Sequence, residues 1–99
     1  MLIHSVYFWL RPDVTAAEHA GFAQSVATLV SLPSVRTGWV GTLGGTRRAV
    51  IDSSYSFGLV LAFDDLQGHD DYQEHPDHER FAADNAPLWT RVQVYDVDA

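Results

Sequence analysis

Leu2-Ile3-His4-Ser5-Val6-Tyr7-Phe8-Trp9-Leu10 is dense in β-branched and aromatic residues and is closed by Arg11-Pro12-Asp13, which predicts a first strand ending in a turn. Strand side chains alternate, so Leu2, His4, Val6, Phe8 and Leu10 point one way and Ile3, Ser5, Tyr7 and Trp9 the other. Both sets are largely apolar. A strand that is oily on two sides needs cover on two sides, and this requirement organises the rest of the chain.

Downstream, Thr15-Ala16-Ala17-Glu18 matches a capping box, in which a hydroxyl and a carboxylate three residues apart satisfy the free amides of a helix start. Ala20, Ala23, Ala27 and Val30, flanked by Phe22, Val26 and Leu29, then recur at helical steps until Leu32-Pro33. Val35 to Leu43 reads as a second strand containing Trp39 and Val40, and Gly44-Gly45 opens a polar loop to about Ser54. Phe57, Leu59, Leu61 and Phe63 alternate with Gly58, Val60 and Ala62 in a third strand, apolar on both sides. Asp64-Asp65 can cap a short helix through Tyr72, and Pro76 restarts helix after His75, since proline suits a first helical turn. Val92 to Val97 supplies the last strand. This order predicts an α+β sandwich, a four-stranded sheet with its helices on one face.

If helices cover one face only, Ile3, Tyr7, Trp9, Val40, Val60, Tyr95 and Val97 remain on the other, a patch that a soluble monomer rarely exposes. A second copy laid sheet to sheet would cover it. Tyr and Trp suit such a surface because each joins apolar area to a hydrogen-bonding tip. Size argues the same way, because a chain of 99 residues buries only about 60–65% of its unfolded surface and gains from self-association.

Composition removes whole mechanisms. There is no cysteine, hence no disulfide or thiolate chemistry, and no lysine, hence no side-chain amine for a Schiff base. The formal charge of −7 and the lack of a basic run argue against nucleic acid, whose binding needs clustered cations; Arg47-Arg48, the only basic pair, is read as a solvated loop. No stretch approaches the roughly 20 apolar residues of a membrane span, and the N-terminus carries no basic segment before an apolar one, so a cytoplasmic protein is expected. Gly41-Thr42-Leu43-Gly44-Gly45 lacks the lysine of a phosphate loop, and Ser53-Ser54 lacks a nucleophile-elbow pattern.

Chemistry concentrates in Tyr72 and His75-Pro76-Asp77-His78. An unperturbed imidazole titrates near about 6.5, so His78 is the candidate general base. Tyr72 could hold a carbonyl oxygen as charge develops on it. The competing reading is a surface histidine beside a packed tyrosine. His75, preceding proline, is assigned to the helix entrance, with its ring on a free amide or in water. His75 and His78 share a helix face with His69, Asp71 and Glu74 nearby, a set read as at most a weak surface site; no metal and no cofactor is expected. His4 shares a strand face with Val6 and Phe8, and Asp96 with Val92 and Val94. If the terminal strands lie together, Asp96 could orient a histidine, or the two could form a buried polar pair at one end of the core.

With His4-Ser5-Val6-Tyr7-Phe8, Pro33-Ser34-Val35, Tyr72 with His75-Pro76-Asp77-His78, and Val94-Tyr95-Asp96, the chain resembles the stress-responsive A/B barrel (Dabb) family nearly end to end. The resemblance implies ferredoxin-like βαββαβ protomers, homodimers whose paired sheets form a dimeric α/β barrel, and a pocket in each protomer between sheet and helices. One plant member closes a linear polyketide by aldol condensation without a cofactor. Tyr72 and His78 match its catalytic tyrosine and histidine, and His4 a pocket histidine, while Phe57 stands where it has another histidine. The resemblance implies a small-molecule pocket lined by Val6, Phe8, Phe22, Val26, Phe57, Leu59, Leu61, Trp89 and Val94, suited to an apolar or aromatic carbonyl compound. A noncatalytic, stress-associated or ligand-carrying dimer and a cofactor-free monooxygenase acting on quinols are the alternative functions.

Overall fold

A computed structural model describes all residues from Met1 to Ala99. Strand β1 (Leu2–Leu10) is central, pairing antiparallel with β3 (Phe57–Phe63) on one side and β4 (Trp89–Asp98) on the other, and β2 (Thr37–Gly41) adds to β3. The sheet order is β2-β3-β1-β4. Helices α1 (Ala16–Thr28), α2 (Leu66–Glu74) and α3 (Pro76–Asn85) lie over one face, and single 3-10 turns follow α1 and α3. This is the βαββαβ, ferredoxin-like arrangement.

Local chemistry starts each helix. Thr15 and Glu18 close the capping box reciprocally, the Thr15 hydroxyl accepting from the Glu18 amide and the Glu18 carboxylate from the Thr15 amide. Asp65 accepts from the Gly68 amide at the head of α2. The His75 ring accepts from the Asp77 amide at 3.0 Å, and Pro76 occupies the first turn of α3. His75 is thus spent on a helix cap.

His4, Val6 and Phe8 face the helices and are buried, while Ser5, Tyr7 and Trp9 on the opposite face are half-buried. Phe22, Val26, Leu29, Phe57, Leu59, Leu61 and Phe63 join Val6 and Phe8 in one continuous core. Tyr72 and Phe81 carry α2 and α3 onto it.

Three sequence expectations shift. Val40 pairs with Leu59 and packs against the core, so it leaves the open face; its neighbour Trp39, paired with Val60 and 63% exposed, takes that place. A one-residue change of phase swaps a strand's faces. The second strand is shorter than Val35–Leu43, and the last begins at Trp89 instead of Val92. There β1 and β4 slip register, Trp9 pairing with Arg91 and Leu10 with Trp89, which leaves Thr90 as the extra residue of a bulge. The bulge turns Trp89 to the helix side.

On the open face, Ile3 pairs with Val97, Ser5 with Tyr95 and Tyr7 with Gln93. Tyr55, from the loop before β3, packs its ring at a tilt against Tyr7 with centres 4.9 Å apart, and the Arg91 guanidinium sits 4.3 Å over the Trp9 ring, whose Nε1 donates to Ser54 Oγ. Tyr95 and Val97 are 59% and 57% exposed. No helix is long and apolar enough to cross a membrane.

Candidate functional site

Antiparallel registry sets His4 of β1 directly opposite Asp96 of β4. The His4 Nδ1 to Asp96 Oδ1 distance is 2.6 Å. His4 is 3% exposed, and burial, the largest influence, pulls its pKa down against the raising effect of Asp96, with His69 lowering it further. The contact is therefore a neutral imidazole donating from Nδ1 to a carboxylate, not an ion pair. That fixes the tautomer and leaves Nε2 as a lone pair.

Tyr72 comes from α2 and is 1% exposed, its ring 5.2 Å from Phe63, 6.0 Å from His4 and 4.7 Å from His78. Burial raises its pKa, so the phenol stays protonated and can act as a donor. His78, one turn into α3, is half-buried. Its pKa is lowered by burial first and then by His4 and His69, with Glu79 opposing, so it is neutral and able to accept a proton at pH 7. Neither the Tyr72 hydroxyl nor the His78 ring has a hydrogen-bond partner within the chain.

These groups border a cavity of about 270 Å³ between the sheet and α2–α3. His4, Val6, Phe8, Leu59, Tyr72, His78, Trp89 and Val94 line it. Asp96 stands behind His4. Phe22, Val26, Phe57 and Leu61 do not reach it, because they fill the seam where α1 lies directly on the sheet: the Phe22 and Phe57 rings are 5.0 Å apart, and Phe22, Val26 and Leu61 are fully buried. The Phe57 ring is instead covered by Phe22 and by His19 at 4.9 Å.

Leu29, Gln73, Phe81, Ala82 and Val92 also line the cavity and were not anticipated from the sequence. Helical spacing carried part of the signal, since Phe81 and Ala82 lie three and four residues after His78 and so share its face. Strand alternation placed Val92 on the side of Val94, and neither signal pointed to Leu29 or Gln73. His69, three residues before Tyr72, is buried at 8% exposure with its ring 4.9 Å from His4, instead of lying on the surface with Asp71 and Glu74.

The cavity is mostly apolar, its polar lining being Gln73 and the cluster of His4, Tyr72 and His78, in which the Tyr72 ring is 6.0 Å from His4 and 4.7 Å from His78. It offers a neutral base and a protonated phenol to a molecule with an oily body and one polar group. A second hollow of about 340 Å³, between Tyr7, Trp9, Tyr55, Arg91 and Tyr95, opens on the uncovered sheet face and holds no histidine.

The profile of the Stress responsive A/B Barrel Domain matches residues 2–99. Among solved structures, a Dabb family protein with a ferredoxin-like fold from Mesorhizobium loti superposes with a TM-score of 0.80 at 24% identity, over 99% of this chain and 95% of that one. A dimeric ferredoxin-like protein from Thermobifida fusca gives 0.81 at 22%, covering 99% and 90%. Hydroxynitrile lyase from Passiflora edulis gives 0.78 at 15%, covering 97% and 90%. At such identities the likeness shows the fold. No curated protein matches in sequence.

Proposed function

The chain belongs to the stress responsive A/B barrel family, and from that premise we propose that it is a homodimer, paired through its open sheet faces, that binds a small apolar or aromatic carbonyl compound and moves a proton on it without a cofactor. The observation that carries this reading is the meeting of His78 and Tyr72 at the polar end of an apolar cavity, 4.7 Å apart between ring centres.

In the proposed reaction His78 removes a proton from the carbon beside the carbonyl. The electron pair of that C–H bond forms the carbon–carbon double bond of the enolate as the carbonyl π pair moves onto the oxygen, where the Tyr72 hydroxyl donates a hydrogen bond to the growing charge. The resulting enolate can close on a second carbonyl of the same molecule, forming a carbon–carbon bond in aldol fashion, and His78 returns its proton to the new alkoxide. Asp96 holds His4 in one tautomer, so that its Nε2 presents an acceptor to the bound molecule. Support for catalysis on this fold comes from the hydroxynitrile lyase of Passiflora edulis, and support for the dimer from the Thermobifida fusca protein and from exposed Trp39, Tyr95 and Val97.

Proton abstraction is testable before the natural substrate is identified. An aryl methyl ketone such as acetophenone in D2O exchanges its methyl protons when a base removes them, and proton NMR follows the loss of signal. Exchange faster than buffer is expected, with His78→Gln falling by about 10²–10⁴. Equal exchange in wild type and His78→Gln would remove His78 as the base; if acetophenone still binds, the cavity is that of a carrier.

A further inference from the structure

Three residues from three separate elements converge beside the cavity: His4 on β1, Asp96 on β4 and His69 on α2. One ligand atom of each lies within 4.8 Å of those of the other two. His69 is more than nine-tenths buried, its Nδ1 is 3.2 Å from Asp70 Oδ1, and its Nε2 is buried with no hydrogen-bond partner. A buried ring nitrogen without a partner destabilises the fold unless something binds it. With the Asp70 carboxylate holding a proton on Nδ1, His69 presents Nε2 as a lone pair. Imidazoles backed by carboxylates in this way are the form in which histidine binds metal ions.

We infer that His4, His69 and Asp96 form a binding site for one divalent transition-metal ion of the zinc type. Two imidazole nitrogens and one carboxylate are the donor set such ions prefer, whereas magnesium and calcium take oxygen ligands. The set carries one negative charge, which a dication more than offsets without ionising Tyr72. His4 belongs to both the triad and the cavity wall, so an ion held there lies at the cavity's polar end. The ion would take the place of the proton between His4 Nδ1 and Asp96 Oδ1, whose 2.6 Å separation is shorter than the roughly 3.3 Å between two ligands on a tetrahedral ion with bonds near 2.0 Å. Metal entry therefore turns the Asp96 carboxylate, which is 42% exposed and free to move. The inference concerns binding alone and stands whether or not the cavity is catalytic.

The experiment is a titration of the metal-free full chain with ZnCl2 at pH 7.5 by calorimetry, with CoCl2 followed by visible absorption and MgCl2 as the contrast. One zinc per chain is expected with a dissociation constant below about 100 µM, together with a cobalt spectrum of low coordination number and no magnesium binding. His69→Gln should weaken zinc at least about 10-fold, and His19→Ala and His75→Ala should leave it unchanged. Imidazole ¹⁵N spectra of the unaltered protein supply a readout independent of any variant: the ring nitrogens of His4 and His69 should shift together as zinc is added. No binding, or zinc that moves only the signals of other histidines, overturns the site.

Discussion

Tyr72→Phe isolates the hydroxyl of the site from the packing of the ring. The ring is 1% exposed and lies against Phe63, His4 and His78, while the hydroxyl makes no hydrogen bond within the chain. Removing an oxygen that stabilises nothing internally should change the unfolding free energy by less than about 1 kcal/mol. Truncating the ring in Tyr72→Ala should cost about 3–5 kcal/mol, the range for deleting a buried aromatic. Catalysis orders the same pair differently. Loss of a donor to a developing oxyanion costs about 2.7–4 kcal/mol, or about 10²–10³ in rate, so acetophenone methyl exchange should collapse in Tyr72→Phe although its stability does not. Urea unfolding gives the first quantity as a midpoint shift at constant slope, and NMR exchange the second. A Tyr72→Phe protein that exchanges at the wild-type rate, or that unfolds as readily as Tyr72→Ala, would refute the reasoning.

Trp39→Glu places a charge at a side chain 63% exposed in the protomer, so it should leave the protomer folded and split the proposed dimer; sedimentation velocity at micromolar concentration reads this as a fall to the monomer mass. Gly38→Ala should destabilise by about 1–3 kcal/mol, because a Cβ there would lie 2.5 Å from Leu61 Cδ2 and 3.0 Å from the Val60 carbonyl oxygen; thermal unfolding checks it. Acid should loosen the fold through His4 and His78. Both pKa values are lowered in the native state, so between the unfolded value of about 6.5 and the native values the unfolded chain binds more protons. Stability then falls as pH drops from about 6.5 toward 5, above the carboxylate range. His78→Gln should flatten that slope in melting curves taken across the interval.

Much of this architecture was legible from spacing alone. The two-sided β1, the Thr15–Glu18 box, the caps at Asp65 and His75 and the order of elements follow from alternation, helical periodicity and side chains that satisfy nearby amides, all of which operate over a few residues. His4, Tyr72 and His78 were legible as chemistry because each carries a titratable group on an otherwise apolar face. The face of Val40 was not, since alternation gives two sides without saying which is which, and pairing with Leu59 decides it. Nor could local pattern anticipate the slip at Thr90 that turns Trp89 into the cavity, or the seam under α1 that takes Phe22, Val26, Phe57 and Leu61 out of it.

His69 shows the division most directly. In the sequence it sits among acidic neighbours and reads as solvated; in the structure it is buried against His4. The order of strands and helices, the histidines and the tyrosine were determined by residues acting on near neighbours. The meeting of His4 with Asp96, 92 positions apart, and of both with His69, belonged to tertiary structure, because strand registry and the docking of α2 on the sheet depend on how the whole core packs.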